Sequence, residues 1–98
     1  MEMYNPAHPG RLLKMELEEL KMSVAETALK MGVSRQALYD FINEKSSLTP
    51  VMALKIEKAF NSRAGFWLDM QQAHDLWQAK QTTNLDDVQV IYKRKKLA

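Results

Sequence analysis

Between Ser34 and Lys45 the chain places seven polar side chains whose chemistry suits the edge of a flat, hydrogen-bonding ligand: Ser34, Arg35, Gln36, Tyr39, Asp40, Asn43 and Lys45. Gln36 carries the amide fork that matches the donor–acceptor pair of adenine, and Arg35 the guanidinium fork that matches the two acceptors of guanine. Arg35 is equally suited to holding a phosphate. Asp40 is poorly suited to phosphate and would serve a base only by accepting from cytosine. No Ser, His and Asp set is marked out by a nucleophile motif, so catalysis is not expected. The two histidines, His8 and His74, have no Cys beside them and no second His at i+3 or i+4. Neither a metal site nor a cofactor is therefore expected, and His8 reads better as a helix-start residue.

Such side chains are useful only if one element presents them together. With only 3 Gly and 3 Pro, and with helix formers dominating residues 11–80, long helices are favoured over many short strands. His8-Pro9-Gly10 opens a first helix, because Pro is pre-organised for a first helical position. Leu13, Leu17 and Leu20 form its apolar stripe. Ser23-Val24-Ala25-Glu26 reads S-x-x-E, the capping box of a second helix, which stops at Gly32. Ser34 caps a third helix with Leu38, Phe41 and Ile42 inside, and residues 43–48 form a polar loop. Thr49-Pro50 starts a fourth helix, with Ala53, Ile56, Ala59 and Phe60 as its inner face. A fifth follows Asn61-Ser62, with Phe66, Met70, Ala73 and Trp77 along one side. It ends near residues 81–84. Val88, Val90 and Tyr92 then alternate with Gln89 and Ile91, the pattern of a short strand. The reading is all-α, with five helices in a domain over residues 1–80. A C-terminal extension follows over residues 81–98.

Two helices joined by a very tight Gly-containing turn define a helix-turn-helix. Counted from Val24 as the first position, Ala28 is fifth, Gly32 ninth, Leu38 fifteenth and Phe41 eighteenth. The small Ala28 lets the second helix cross closely over the third, and Gly32 permits the sharp turn. Leu38 and Phe41 then pack the third helix inward. Arg35, Gln36, Tyr39, Asp40 and Asn43 are left pointing outward, where a helix in the major groove presents its residues. Tight Gly turns also join helices in proteins that never touch nucleic acid, so spacing alone leaves a solvated surface as the competing reading.

The 98 residues suffice for one domain, and the formal charge of +2 is weak support for a polyanionic partner. Charge is uneven: Lys93, Arg94, Lys95 and Lys96 are consecutive, while Glu16, Glu18 and Glu19 cluster. The basic run suits either DNA backbone or a solvated tail. Absence of Cys excludes a disulfide framework and fits a reducing cytoplasm. No apolar run reaches membrane length and the first ten residues lack a signal h-region, so a cytoplasmic protein without membrane contact is expected.

The stretch MSVAETALKMGVSRQALYDFINEKSSLTPVMALKIEKAF resembles the five-helix phage-repressor domains of the Cro/C1, or XRE, type. HPGRLLKMELEEL before it and FWLDMQQAHDLWQAK after it resemble the HigA-type antitoxins of bacterial toxin–antitoxin pairs. His8-Pro9-Gly10, Phe66-Trp67-Leu68, Gln71 and Leu76 are the most specific matches. The likeness covers about residues 8–80. It implies a homodimer that binds double-stranded operator DNA, represses its own operon and neutralises a HigB-like, mRNA-cleaving toxin. The alternative is a free-standing repressor without a toxin. Two positions depart from the repressor pattern. Val24 stands where many carry a phosphate-touching Gln, and Glu44 stands where many carry Gly. Glu44 must adopt a left-handed backbone or change the loop, and its charge would face phosphates. Trp67 reads mainly as core, Trp77 as core or interface. For toxin contact, the 88–92 segment and the acidic first helix are rival surfaces.

Overall fold

The computed structural model of the protein describes residues 5–94. Five helices follow one another: α1 (Pro9–Leu20), α2 (Val24–Met31), α3 (Arg35–Ile42), α4 (Pro50–Phe60) and α5 (Ala64–Thr82). Their starts follow from local chemistry. Ser23, Ser34 and Thr49 each accept a hydrogen bond from the backbone N–H three residues on, satisfying an otherwise orphaned donor. The reciprocal half of the expected capping box gives way to an i,i+4 pair, in which Glu26 reaches Lys30 at 3.6 Å. At α5 the N-cap is Arg63, which makes no side-chain cap bond. Glu57 of α4 supplies it instead, accepting from the Ala64 N–H at 3.0 Å.

The core gathers Leu13 and Leu17 of α1, Ala28 and Met31 of α2, Leu38, Phe41 and Ile42 of α3, Leu48, Ala53 and Ile56 around α4, and Trp67 of α5. Trp67 is fully buried, and its indole N–H donates to Ser62 at 2.6 Å. Burying so large a ring requires that its one polar atom find a partner, and Ser62 provides it.

Four sequence expectations shift. Leu20 is 57% exposed. The chain leaves α1 through a left-handed Lys21, the Met22 N–H bonds back to the Leu17 carbonyl, and Met22 packs on the core instead. Ala59 is exposed on α4, where Ala53, Ile56 and half-buried Phe60 form the inner face. On α5 the buried residues are Trp67 and Gln71, with Ala64 and His74 half-buried in line with them, one position round from the expected stripe; Phe66 and Ala73 face outward, while Met70 and Trp77 stay half-buried. Helical spacing admits both stripes, and the choice falls to the one carrying the partners the core needs. Lastly, residues 88–92 form no strand: among the described residues there is none, and Ile91 is 98% exposed. A strand needs a neighbour for its backbone donors and acceptors, and no sheet edge lies among the described residues. Lys95 and Lys96 of the basic run lie outside the described residues.

Candidate nucleic-acid interface

The turn between α2 and α3 forms as its residues require. Gly32 has φ +70°, its N–H and that of Val33 close onto carbonyls of α2, and Lys55 of α4 donates to the Gly32 carbonyl at 3.0 Å. Only two residues, Val33 and Ser34, separate Gly32 from Arg35. Leu38 and Phe41 are fully buried beneath α3. Ser34, Arg35, Gln36, Tyr39, Asn43 and Lys45 are exposed, and Asp40 is half-buried. Seven expected side chains are thus carried by α3 and its two ends, a helix about 12 Å long at 1.5 Å per residue. Val24 is half-buried against the core, so the first motif position offers apolar packing rather than a phosphate contact.

Gln36 and Asp40 meet: the Gln36 amide donates to the Asp40 carboxylate at 2.8 Å. Sequence reasoning treated them as independent readers.

The loop after α3 adopts the strained of its two options. Glu44 has φ +64°, and its carboxylate turns back to Arg11 of α1 at 3.2 Å. The charge expected to face phosphates is partnered by a guanidinium at the start of α1, and Lys45 next to it stays exposed.

Three further residues position this loop and were not among the expected site residues. His8 is buried; its Nδ1 accepts from the Gly10 N–H at 2.9 Å and its Nε2 lies 3.0 Å from the Ser46 carbonyl. An amide N–H can only donate and a carbonyl only accept, so His8 is neutral with its proton on Nε2. Burial, first, and the neighbouring His74 lower its pKa; the Ser46 carbonyl, Glu44 and Asp75 oppose this less strongly. Gln71, also buried, accepts from the Leu48 N–H at 2.8 Å and donates to Asp75 at 2.9 Å. Gly10 brings α1 against the end of α3: a Cβ there would lie 1.8 Å from the Phe41 carbonyl oxygen. The loop that ends α3 is therefore gripped at residue 44 by Arg11, at residue 46 by His8 and at residue 48 by Gln71. His8 was legible as a helix-start residue, and it caps α1; for the grip on the loop the sequence signal was the resemblance that singled out His8, Gly10 and Gln71.

The helix-turn-helix family profile matches residues 13–67, and the chain belongs to this family. It is 41% identical over 91 residues to virulence-associated protein A' of Dichelobacter nodosus, covering 92% of this chain and 78% of that one. Antitoxin HigA-1 of Vibrio cholerae is 36% identical over 76 residues, covering 76% of this chain and 71% of the relative. Among solved structures, Pseudomonas aeruginosa antitoxin HigA with the higBA promoter superposes with a TM-score of 0.74 at 31% identity, covering 78% of this chain and 84% of that one. The expected likeness to HigA antitoxins thus holds in sequence and in fold. No helix among the described residues is long and apolar enough to cross a membrane.

Proposed function

We propose that the protein is an antitoxin-type autorepressor: a homodimer that reads double-stranded operator DNA with α3 and binds a HigB-like toxin. The observation carrying the DNA half is the arrangement of α3. Its inner side is locked into the core by Leu38 and Phe41, while Arg35, Gln36 and Tyr39 stand exposed on its outer side. Arg35 and Gln36 occupy the first turn, where a recognition helix meets base edges. Ser34, Asn43 and Lys45 are assigned to flanking contacts, with Lys45 supplying charge to phosphate. One recognition helix reads too few base pairs to select a site in a genome, which supports a dimer on a palindromic operator. The similarity to HigA proteins supports the antitoxin half and a cytoplasmic, non-enzymatic role. Residues 1–80 form the DNA-binding unit, and residues 81–98 an extension available to a partner.

The test is binding of full-length protein to duplex DNA from upstream of its own gene, with stoichiometry by mass measurement. Two protomers per site and a Gln36→Ala loss of about 1–3 kcal/mol confined to one operator position are expected. Equal loss on random DNA would show that Gln36 only positions the protein. Rescue of cells expressing the adjacent gene product tests the toxin half. A chain ending at Thr83 then separates the two rival toxin surfaces, since it keeps the exposed Glu18 and Glu19 and removes the extended segment. If no adjacent toxin exists and nothing is rescued, the protein is a free-standing repressor.

A further inference from the structure

We propose that Asp40 is a specificity-determining positioning residue: it holds the Gln36 amide in the one orientation that reads a base. The inference rests on α3 being the DNA-reading helix. It starts from an oddity of charge. Asp40 lies on α3, on the side that would approach a polyanion, where a carboxylate is repelled. No ion pair neutralises it among the described residues; the pairs formed there are Arg11–Glu44 and Lys30–Glu26. What Asp40 does is accept a hydrogen bond from Gln36 Nε2 at 2.8 Å, one helical turn away.

An unpaired Gln side chain rotates about three torsions, the last of them broad, and presents its amide either way round. An ionised carboxylate only accepts, so it selects the nitrogen end of that amide. One amide N–H is then committed to Asp40. The other N–H and the carbonyl oxygen remain, and they are the donor and acceptor that an adenine edge in the major groove takes up together. Fixing the side chain before binding removes part of the ordering that recognition would otherwise require. Asp40 is itself half-buried on a short helix pinned by Leu38 and Phe41, so it is a rigid support. On this view the acidic residue touches no base. It acts through Gln36 and tolerates the repulsion from phosphate.

The experiment is selection from a duplex pool with a randomised centre of roughly 20 base pairs, using full-length wild type, Q36A, D40A, D40N and the D40A/Q36A double variant. Wild type should return a palindromic motif in which Q36A flattens one A·T position per half-site. D40A should weaken the preference at that same position by about five- to tenfold and leave the others intact. D40N keeps an acceptor oxygen but adds a donor that can take the other end of the Gln36 amide, so it should lose part of the preference, about two- to threefold, and less than D40A. The double variant should be no flatter than Q36A. Affinity for random duplex should not fall in D40A, because a negative charge has been removed. An unchanged motif in D40A overturns the proposal, since the pair is then only a helix-surface bond. So does flattening at a different, C·G, position, which would make Asp40 a base reader in its own right. So does loss in D40N equal to that in D40A. The near-isosteric D40N keeps the question decidable should D40A lose structure. Wild type returning no motif at all is a separate outcome: it removes the DNA-reading helix and the inference with it.

Discussion

The helical core is flanked by two non-helical segments that behave in opposite ways. Before α1, Pro6 and Ala7 are half-buried, His74 donates from Nδ1 to the Pro6 carbonyl at 3.0 Å, and His8 has both ring nitrogens engaged. After α5, residues 83–94 are exposed throughout. Their ties are local, such as Val88 N–H to the Leu85 carbonyl and Arg94 stacked over Tyr92 at 5.2 Å. Yet this second segment is the more apolar, with Leu85, Val88, Val90, Ile91 and Tyr92 all more than 60% exposed. Hydrophobic content does not by itself order a segment. The N-terminal corner is tied to the core because both His8 ring nitrogens and the Pro6 carbonyl find partners and because Gly10 lets two helices touch. The C-terminal extension has the residues of a strand and, among the described residues, nothing to pair with.

The sharpest way to break this comparison is Gly10→Ala. Its Cβ would collide with backbone of Phe41 rather than with a yielding side chain. We expect a loss of about 3 kcal/mol in urea unfolding, followed by tryptophan fluorescence, because α1 and α3 must separate. Gly32→Ala is the control: nothing lies within 4 Å of its Cβ, and only the positive φ is penalised. About 1 kcal/mol is expected there. Equal effects at the two glycines would mean that close helix approach is not what Gly10 provides.

His8 comes next. His8→Ala removes the cap on α1 and leaves the Ser46 carbonyl without its donor, for about 2 kcal/mol together. His8→Asn restores the cap alone and should recover about half of that. A smaller effect is pH-dependent. The unfolded His8 titrates near its ordinary 6.5, and the folded one lower, because burial and His74 outweigh Ser46, Glu44 and Asp75. Below pH 6.5 the unfolded chain therefore binds a proton that the folded chain does not, and stability declines as pH falls towards the folded value. Above 6.5 the His8 contribution is fully present. Unfolding midpoints measured between pH 5 and pH 8 should show a slope at the acid end that is shallower in His8→Asn. Identical slopes would assign the acid sensitivity to other groups.

The smallest effect belongs to the extension. Ending the chain at Thr83 removes no buried residue among the described ones, so stability should change by less than about 0.5 kcal/mol. A substantially larger loss in urea unfolding would show that residues 84–98 are tied to the core after all, and the contrast between the two ends would fail.

Much of this molecule is legible from local signals. Ser23, Ser34 and Thr49 as caps, Pro9 and Pro50 at first helical positions, and Gly32 as a stop set four of the helix starts and the tight turn, because capping acts over three or four residues and needs no tertiary context. The outward set on α3 followed from Leu38 and Phe41 pointing in. Tertiary structure decided the rest. Helical periodicity cannot choose between neighbouring stripes on α5, and burial fell on Trp67 and Gln71 because Ser62 and the Leu48 N–H are there to meet them. Glu44 could avoid facing phosphate only because Arg11, 33 residues earlier, folds beside it. Likewise, a buried His8 is an interior hydrogen-bonding group only once Gly10 has let α1 reach α3 and the loop behind it. The chain alone determined where helices begin, since that chemistry lies between near neighbours. Which polar groups would be buried, paired and made to hold the recognition helix was decided by folding, because their partners are distant in sequence and become neighbours only in three dimensions.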